Sequence, residues 1–204
     1  MKLKLLIFFA LHLSVLSESL DSIFRPNQNV SAMFSPENNI RETLINLIDS
    51  EKRRIRIAMY FFTDPLLAKH IVGAQGRGVE VEFVSDFSSI TGLGAKYSKI
   101  KTLVDAGIPV YVFGRETDGI MHNKFFIFSD NFQNRKLLVS GSYNCTWSAQ
   151  TKNRENVLIV EDPETVNLYK SSFERLKKSS QKLIEFPINQ RRVFTRQVLR
   201  KLTK

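Results

Sequence analysis

His122 and Lys124 stand two residues apart in Met121-His122-Asn123-Lys124, with Gly141-Ser142-Tyr143-Asn144 and then Glu155-Asn156 downstream. These segments carry an imidazole, an ammonium, a hydroxyl, a carboxamide and a carboxylate. That inventory suits attack on a phosphodiester and retention of the charged phosphorus intermediate without a metal ion. A phosphodiester resists hydrolysis because the anion repels nucleophiles and the alkoxide leaves poorly. A histidine that attacks phosphorus splits one hard step into two. Its attacking nitrogen must be neutral, and a carboxylate on the other nitrogen fixes that tautomer. His122 is the candidate nucleophile and Glu155 its candidate orienting group. Lys124, Ser142 and Asn144 are the candidate donors to the phosphoryl oxygens, where negative charge develops. On a strand, residues two apart share a face, so Lys124 would point with His122 and Ser142 with Asn144.

The leaving oxygen also needs a proton, and a second histidine is the natural donor. The chain holds three: His12, His70 and His122. His12 sits in an apolar N-terminal run. His70, between Lys69 and Ile71 in a helical stretch, reads as a structural or surface residue. The missing acid is therefore expected to be His122 of a second copy across a two-fold axis, which makes a homodimer with the active site at its interface.

These residues need a scaffold, and 204 residues are enough for one substantial core. The single cysteine, Cys145, excludes an intrachain disulfide, and the few Cys and His residues argue against a zinc site. No cofactor is expected. The net charge of +10 favours a polyanionic partner, either nucleic acid or an anionic membrane surface. Residues 1–19 have a basic start (Lys2, Lys4), an apolar run from Leu5 to Leu16 and small residues at Ser17 and Ser19. This is the pattern of a secretory signal, implying a secreted or periplasmic protein, with an uncleaved membrane anchor as the alternative. Residues 186–204 form a basic tail in which Phe194, Val198 and Leu202 recur at helical spacing. It is either a solvated terminus or a contact for nucleic acid or lipid.

Between these ends, residues 31–180 alternate strands and helices. Strands are expected at Ala32–Phe34, Ile55–Phe62, Val79–Val84, Val110–Phe113, Lys124–Phe128, Lys136–Ser140 and Val157–Val160. Helices are expected from Asn38 or Asn39 to Ser50, from Asp64-Pro65 to Gly76, over Lys96–Ala106, and from Asp162-Pro163 to Lys178. Phe87–Ala95 reads as a loop and Ser129–Arg135 as the polar tip of a hairpin. The pattern predicts an α/β domain with a mixed, mostly buried sheet flanked by helices. Phe125–Phe128 read as core of a buried strand, and Trp147 reads as core, with stacking on a base as its alternative. Asp86 at a strand end either faces the site or caps a loop. Lys96, Lys99 and Lys101 read as a solvated helix face.

The H-x-K and G-S-x-N segments, in this order, resemble the phospholipase D superfamily, whose signature is H-x-K-x4-D. Residues Phe34–Leu176 are similar to the single-motif branch, comprising Nuc-type endonucleases and the mitochondrial phospholipase D (Zucchini-like) proteins. Ile57–Thr63, Arg77–Val81 and Asn153–Ile159 add to the likeness. The resemblance implies a phospholipase D/nuclease fold and a metal-independent homodimer. His122 would be nucleophile in one protomer and general acid in the other. Lys124, Ser142 and Asn144 would hold phosphate, and Glu155 would pair with His122. It also implies an aspartate at position 129, where this chain has Ser129 followed by Asp130. Asp130 is thus a candidate structural acid, brought in by a bulge, with Ser129 in a weaker version of that role as the alternative. The substrate reading is nucleic acid, DNA or RNA. The alternatives are a phospholipid of the cardiolipin type, or nucleic-acid binding without catalysis.

Overall fold

The computed structural model describes residues 29–114 and 119–185. Eight strands form one sheet: β1 (Val30–Ser35), β2 (Arg54–Met59), β3 (Glu80–Asp86), β4 (Val110–Phe113), β5 (Lys124–Phe128), β6 (Leu137–Gly141), β7 (Glu155–Val160) and β8 (Ser180–Leu183). Their spatial order is β1-β7-β6-β5-β2-β3-β4-β8. β2, β3 and β4 run parallel and every other pairing is antiparallel. The sheet is mixed and flanked by helices, as the sequence pattern requires.

Helices α1 (Ile40–Ser50) and α2 (Pro65–Gly76) begin at side-chain caps, where Asn39 accepts the Glu42 N–H and Asp64 accepts those of Leu66 and Leu67. With α4 (Ile100–Asp105) they cover one face of the sheet. Leu44, Ile48, Leu67, Ile71 and Leu103 meet Ile55, Ile57, Phe83, Phe126 and Phe128 there. Helix α6 (Pro163–Lys178), capped by Asp162, covers part of the other face. Its Val166 and Phe173 pack on Ala58, Val84, Phe125, Ile127 and Leu138. β5 lies between these two layers, so all five of its residues are buried.

Three expectations change. The Phe87–Ala95 loop contains a 3-10 turn (Phe87–Ser89) and the start of α3 (Gly92–Tyr97). The helix expected over Lys96–Ala106 is accordingly broken at Ser98-Lys99. Ser98 is extended (ψ 137°), its Oγ accepts the Ile100 N–H at 3.2 Å, and the Lys99 N–H goes to Phe62 O at 2.8 Å. A local cap and a tertiary bond thus outweigh helical continuity. β8 was not expected, because Ser-Gln-Lys-Leu has no apolar alternation. It forms as an edge strand on β4. The expected signal or anchor at 1–19, the tail at 186–204 and Arg115–Asp118 lie outside the described residues.

Candidate active site

Antiparallel pairing gathers four strand ends at one edge of the sheet. β5 starts at Lys124 opposite Met59, the end of β2, while β6 ends at Gly141 opposite Val157, near the start of β7. Gly141 is required by the close approach of β6 to β7: a Cβ there would lie 2.0 Å from Asn156 O. The chain beyond β2 then ties the loops together. The Tyr60 N–H donates to Asn123 O at 3.1 Å, and those of Thr63 and Asp64 donate to Cys145 O at 2.9 and 3.0 Å. His122, Lys124, Ser142, Asn144 and Glu155 therefore share one edge.

Lys124 is the buried member, 7% exposed. Its Nζ donates to His122 O at 2.6 Å and lies 5.2 Å from the Tyr60 ring centroid. Two ammonium protons remain for a ligand. Burial pulls the lysine pKa below its ordinary value, while the charge of Glu155 pulls it back up. Asn144 Oδ1 accepts the Phe61 N–H at 3.1 Å. Since a backbone N–H can only donate, that contact fixes the carboxamide orientation and leaves Nδ2 as a donor toward the edge.

His122 is exposed, and its ring meets Tyr60 edge-on with centroids 4.6 Å apart. Two sequence expectations are corrected here. Glu155 does not pair with His122: its Oε2 accepts the Ser142 hydroxyl at 2.5 Å and its Oε1 accepts Asn153 Nδ2 at 2.9 Å. The single hydroxyl proton of Ser142 is thereby committed to Glu155, and its lone pair takes the Asn156 N–H at 3.1 Å. In this state Ser142 holds the carboxylate rather than offering a donor to phosphate.

Asp86 combines the two roles left open for it. It is 3% exposed, caps the 3-10 turn by accepting the Ser88 N–H at 2.9 Å, and accepts the Met121 N–H at 2.7 Å. The second bond tethers the residue before His122. Tyr60 has no place as a site residue in the sequence reading, because the strand expected over Ile55–Phe62 puts it mid-strand, whereas β2 ends at Met59 and leaves Tyr60 beside His122 and Lys124. Trp147, read as core, is 56% exposed. It opens α5 (Trp147–Thr151), three residues after Asn144. A cleft of about 320 Å³ lies beside Glu155, lined by Phe34, Ser35, Glu37, Arg154, Glu155 and Asn156.

Asp130 supplies only backbone groups at the far end of β5, and no bulge turns its side chain inward. Its N–H donates to Glu51 Oε1 at 2.9 Å and its carbonyl accepts from Lys52 N. Glu51, 2% exposed, also accepts the N–H groups of Arg53 and Arg54 at 3.0 and 2.9 Å, and Asn131 Nδ2 at 3.3 Å. The buried carboxylate beneath the hairpin therefore comes from α1–β2. His70 is engaged by Asp49 at 2.9 Å. The thiol of Cys145 is fully buried and pushed up by burial, which makes it a poor nucleophile.

A family model described as "Cardiolipin synthase, PLD-like domain" matches residues 44–177. The chain is 34% identical over 140 residues to a phospholipase D of Rickettsia conorii, covering 69% of this chain and 65% of that protein. It is 34% identical over 134 residues to the mitochondrial cardiolipin hydrolase of Mus musculus, covering 65% and 56%. The chain thus spans less than two thirds of these relatives. The fold matches the crystal structure of Nuc, a phospholipase D family member from Salmonella typhimurium. The TM-score is 0.66 at 28% identity, over 76% of this chain and 97% of that one.

Proposed function

The chain belongs to the phospholipase D superfamily, as a member with a single H-x-K motif, and from that premise we propose that it is a metal-independent phosphodiesterase acting on nucleic acid. The observation that carries the reading is the convergence of His122, Lys124 and Asn144 on one open edge of the sheet. Two of them have donors free for a phosphoryl group. The neutral His122 ring attacks phosphorus, forming a P–N bond as the P–O bond to the leaving group breaks. The imidazolium of His122 in a second copy gives its proton to the departing oxygen. Water, deprotonated by that same imidazole, then attacks phosphorus, and the P–N bond breaks to restore His122. Lys124 and Asn144 stabilise the added charge on the non-bridging oxygens in both steps. Asp86 and Tyr60 position the loop that bears His122, and Ser142 positions Glu155. Glu155 opposes the downward pull of burial on the Lys124 pKa.

The basic balance of the chain and its likeness to Nuc over 97% of that structure favour nucleic acid. A phospholipid substrate is the second reading, supported by the phospholipase D and cardiolipin hydrolase names of the relatives. One assay separates them. The wild type and His122→Ala are incubated with single-stranded DNA, RNA and cardiolipin vesicles in excess EDTA. The nuclease reading expects nucleic acid to be cut by the wild type only. Turnover of cardiolipin with intact nucleic acid would replace it with the second. A gel shift without cleavage of either would mark a binding protein. Loss of cleavage in EDTA would remove the metal-independent mechanism. The segment at 1–19 is proposed to act as a signal or anchor, tested by the N-terminal residue of the protein recovered from cells.

A further inference from the structure

Trp147 is the only tryptophan of the chain, and more than half of its surface meets solvent. An exposed indole presents a large, rigid π-face to solvent. Its backbone is held in place: Thr146 Oγ1 accepts the Ala149 N–H at 3.1 Å, and Thr151 Oγ1 donates to Trp147 O at 2.9 Å. Lys152 Nζ lies 5.0 Å from its ring centroid. A similar pair stands on the other flank of the same loops. Tyr97 is 58% exposed, with Lys96 Nζ 5.2 Å from its ring. Phe62 links the two flanks, bridging to Cys145 on one side and accepting the Lys99 N–H on the other. Each aromatic ring is thus two residues from a segment in contact with Phe62, beside the edge that carries Asn144.

We propose that Trp147 with Lys152, and Tyr97 with Lys96, are base-stacking platforms on either side of the cleavage site, which select single-stranded over duplex nucleic acid. The inference rests on the nuclease reading and names its substrate class. Any base has a π-face, and an exposed ring beside an ammonium offers one nucleotide a stacking surface and a phosphate contact together. In a duplex the bases are already stacked and paired, so the rings gain nothing from them. Duplex binding would rely on the lysines alone.

The lone tryptophan reports its own contacts. In His122→Ala protein, tryptophan emission is titrated with a single-stranded oligonucleotide, its abasic counterpart, a duplex, and anionic vesicles. The single strand is expected to quench emission, with the abasic strand binding more weakly and quenching little. In the cleaving protein, Trp147→Ala should raise KM for single strands about fivefold or more. The ratio of single-strand to duplex cleavage should fall, with Trp147→Phe retaining most of both. Equal quenching by the abasic strand, or an unchanged ratio in Trp147→Ala, overturns the platform and leaves the nuclease reading standing. A blue shift with vesicles and no response to any oligonucleotide overturns it in favour of a lipid contact. Absence of nucleic-acid cleavage by the wild type removes both readings.

Discussion

In the proposed site, Lys124 is held at a cost to folding. The residue is 7% exposed, and burial draws its pKa below the ordinary lysine value, with Glu155 opposing the shift. A lysine whose folded pKa is depressed binds its proton more weakly in the folded than in the unfolded chain. The cost to stability is therefore present in full at neutral and acidic pH. It shrinks as pH rises through the folded pKa toward the unfolded one. Lys124→Met, which keeps the volume and removes the charge, should raise the melting temperature at pH 7, and the gain should narrow at alkaline pH. Activity should fall by about 10²-fold or more, as for loss of one donor to a developing oxyanion. Thermal denaturation across pH, paired with turnover, checks both. A variant that melts lower at neutral pH would show that the bond to His122 O outweighs the burial of charge. Glu155→Gln removes the opposing influence, so the alkaline limb of activity should move to lower pH.

At the scale of elements, the β5–β6 hairpin is anchored by a carboxylate from a different element. Glu51→Ala would orphan the N–H groups of Arg53, Arg54 and Asp130, at a cost of about 2–4 kcal/mol. Asp130→Ala keeps every one of those bonds and should change stability by less than about 0.5 kcal/mol. Both variants should retain turnover per folded molecule. Ser129 and Asp130 follow Phe128, and four residues of strand, about 13 Å, separate Phe128 from Lys124. Calorimetry with active-site-normalised rates tests this, and an inactive but stable Asp130→Ala would restore that residue to the site. Gly141→Ala is the converse case. Its Cβ would strike Asn156 O, forcing β6 from β7 where Ser142 holds Glu155. It should cost about 1–3 kcal/mol and lower turnover with it. These contrasts mark what the sequence could convey. The helices from Ile40, Pro65 and Pro163 were legible, because Asn39, Asp64 and Asp162 cap them and their apolar residues recur on one face. The edge of the sheet carrying His122 and Asn144 was legible through motif spacing. Glu51 was not, since the partners that tie it to the hairpin, the Asp130 N–H and Asn131 Nδ2, lie 79 and 80 residues away. Nor was the choice between core and surface for Trp147, because an apolar residue after a loop fits either until packing is known.

At the scale of the whole molecule, the proposed mechanism has one imidazole too few. Among the described residues the other histidine, His70, is engaged by Asp49, so the proton for the leaving group is assigned to His122 of a second copy. Among the described residues, one face of β1 and β7 is left uncovered and suits such a contact. Val30, Phe34 and Leu158 are 46%, 55% and 42% exposed on one side of these paired strands, and Phe34 shares its cleft with Glu155. Apolar area on two adjacent strands, next to the catalytic edge, is what an isologous interface would bury. Phe34→Asp should therefore yield a monomer by light scattering and lose activity in parallel. A subunit-mixing experiment is more decisive, because it tests shared chemistry rather than shared stability. Wild type and His122→Ala, refolded together in equal amounts, should form about one quarter wild-type dimers, with activity near a quarter of the all-wild-type value. If each protomer carried a complete site, half the activity would remain. The quadratic fall requires two His122 side chains per reaction, and a linear one would place the acid within a single chain.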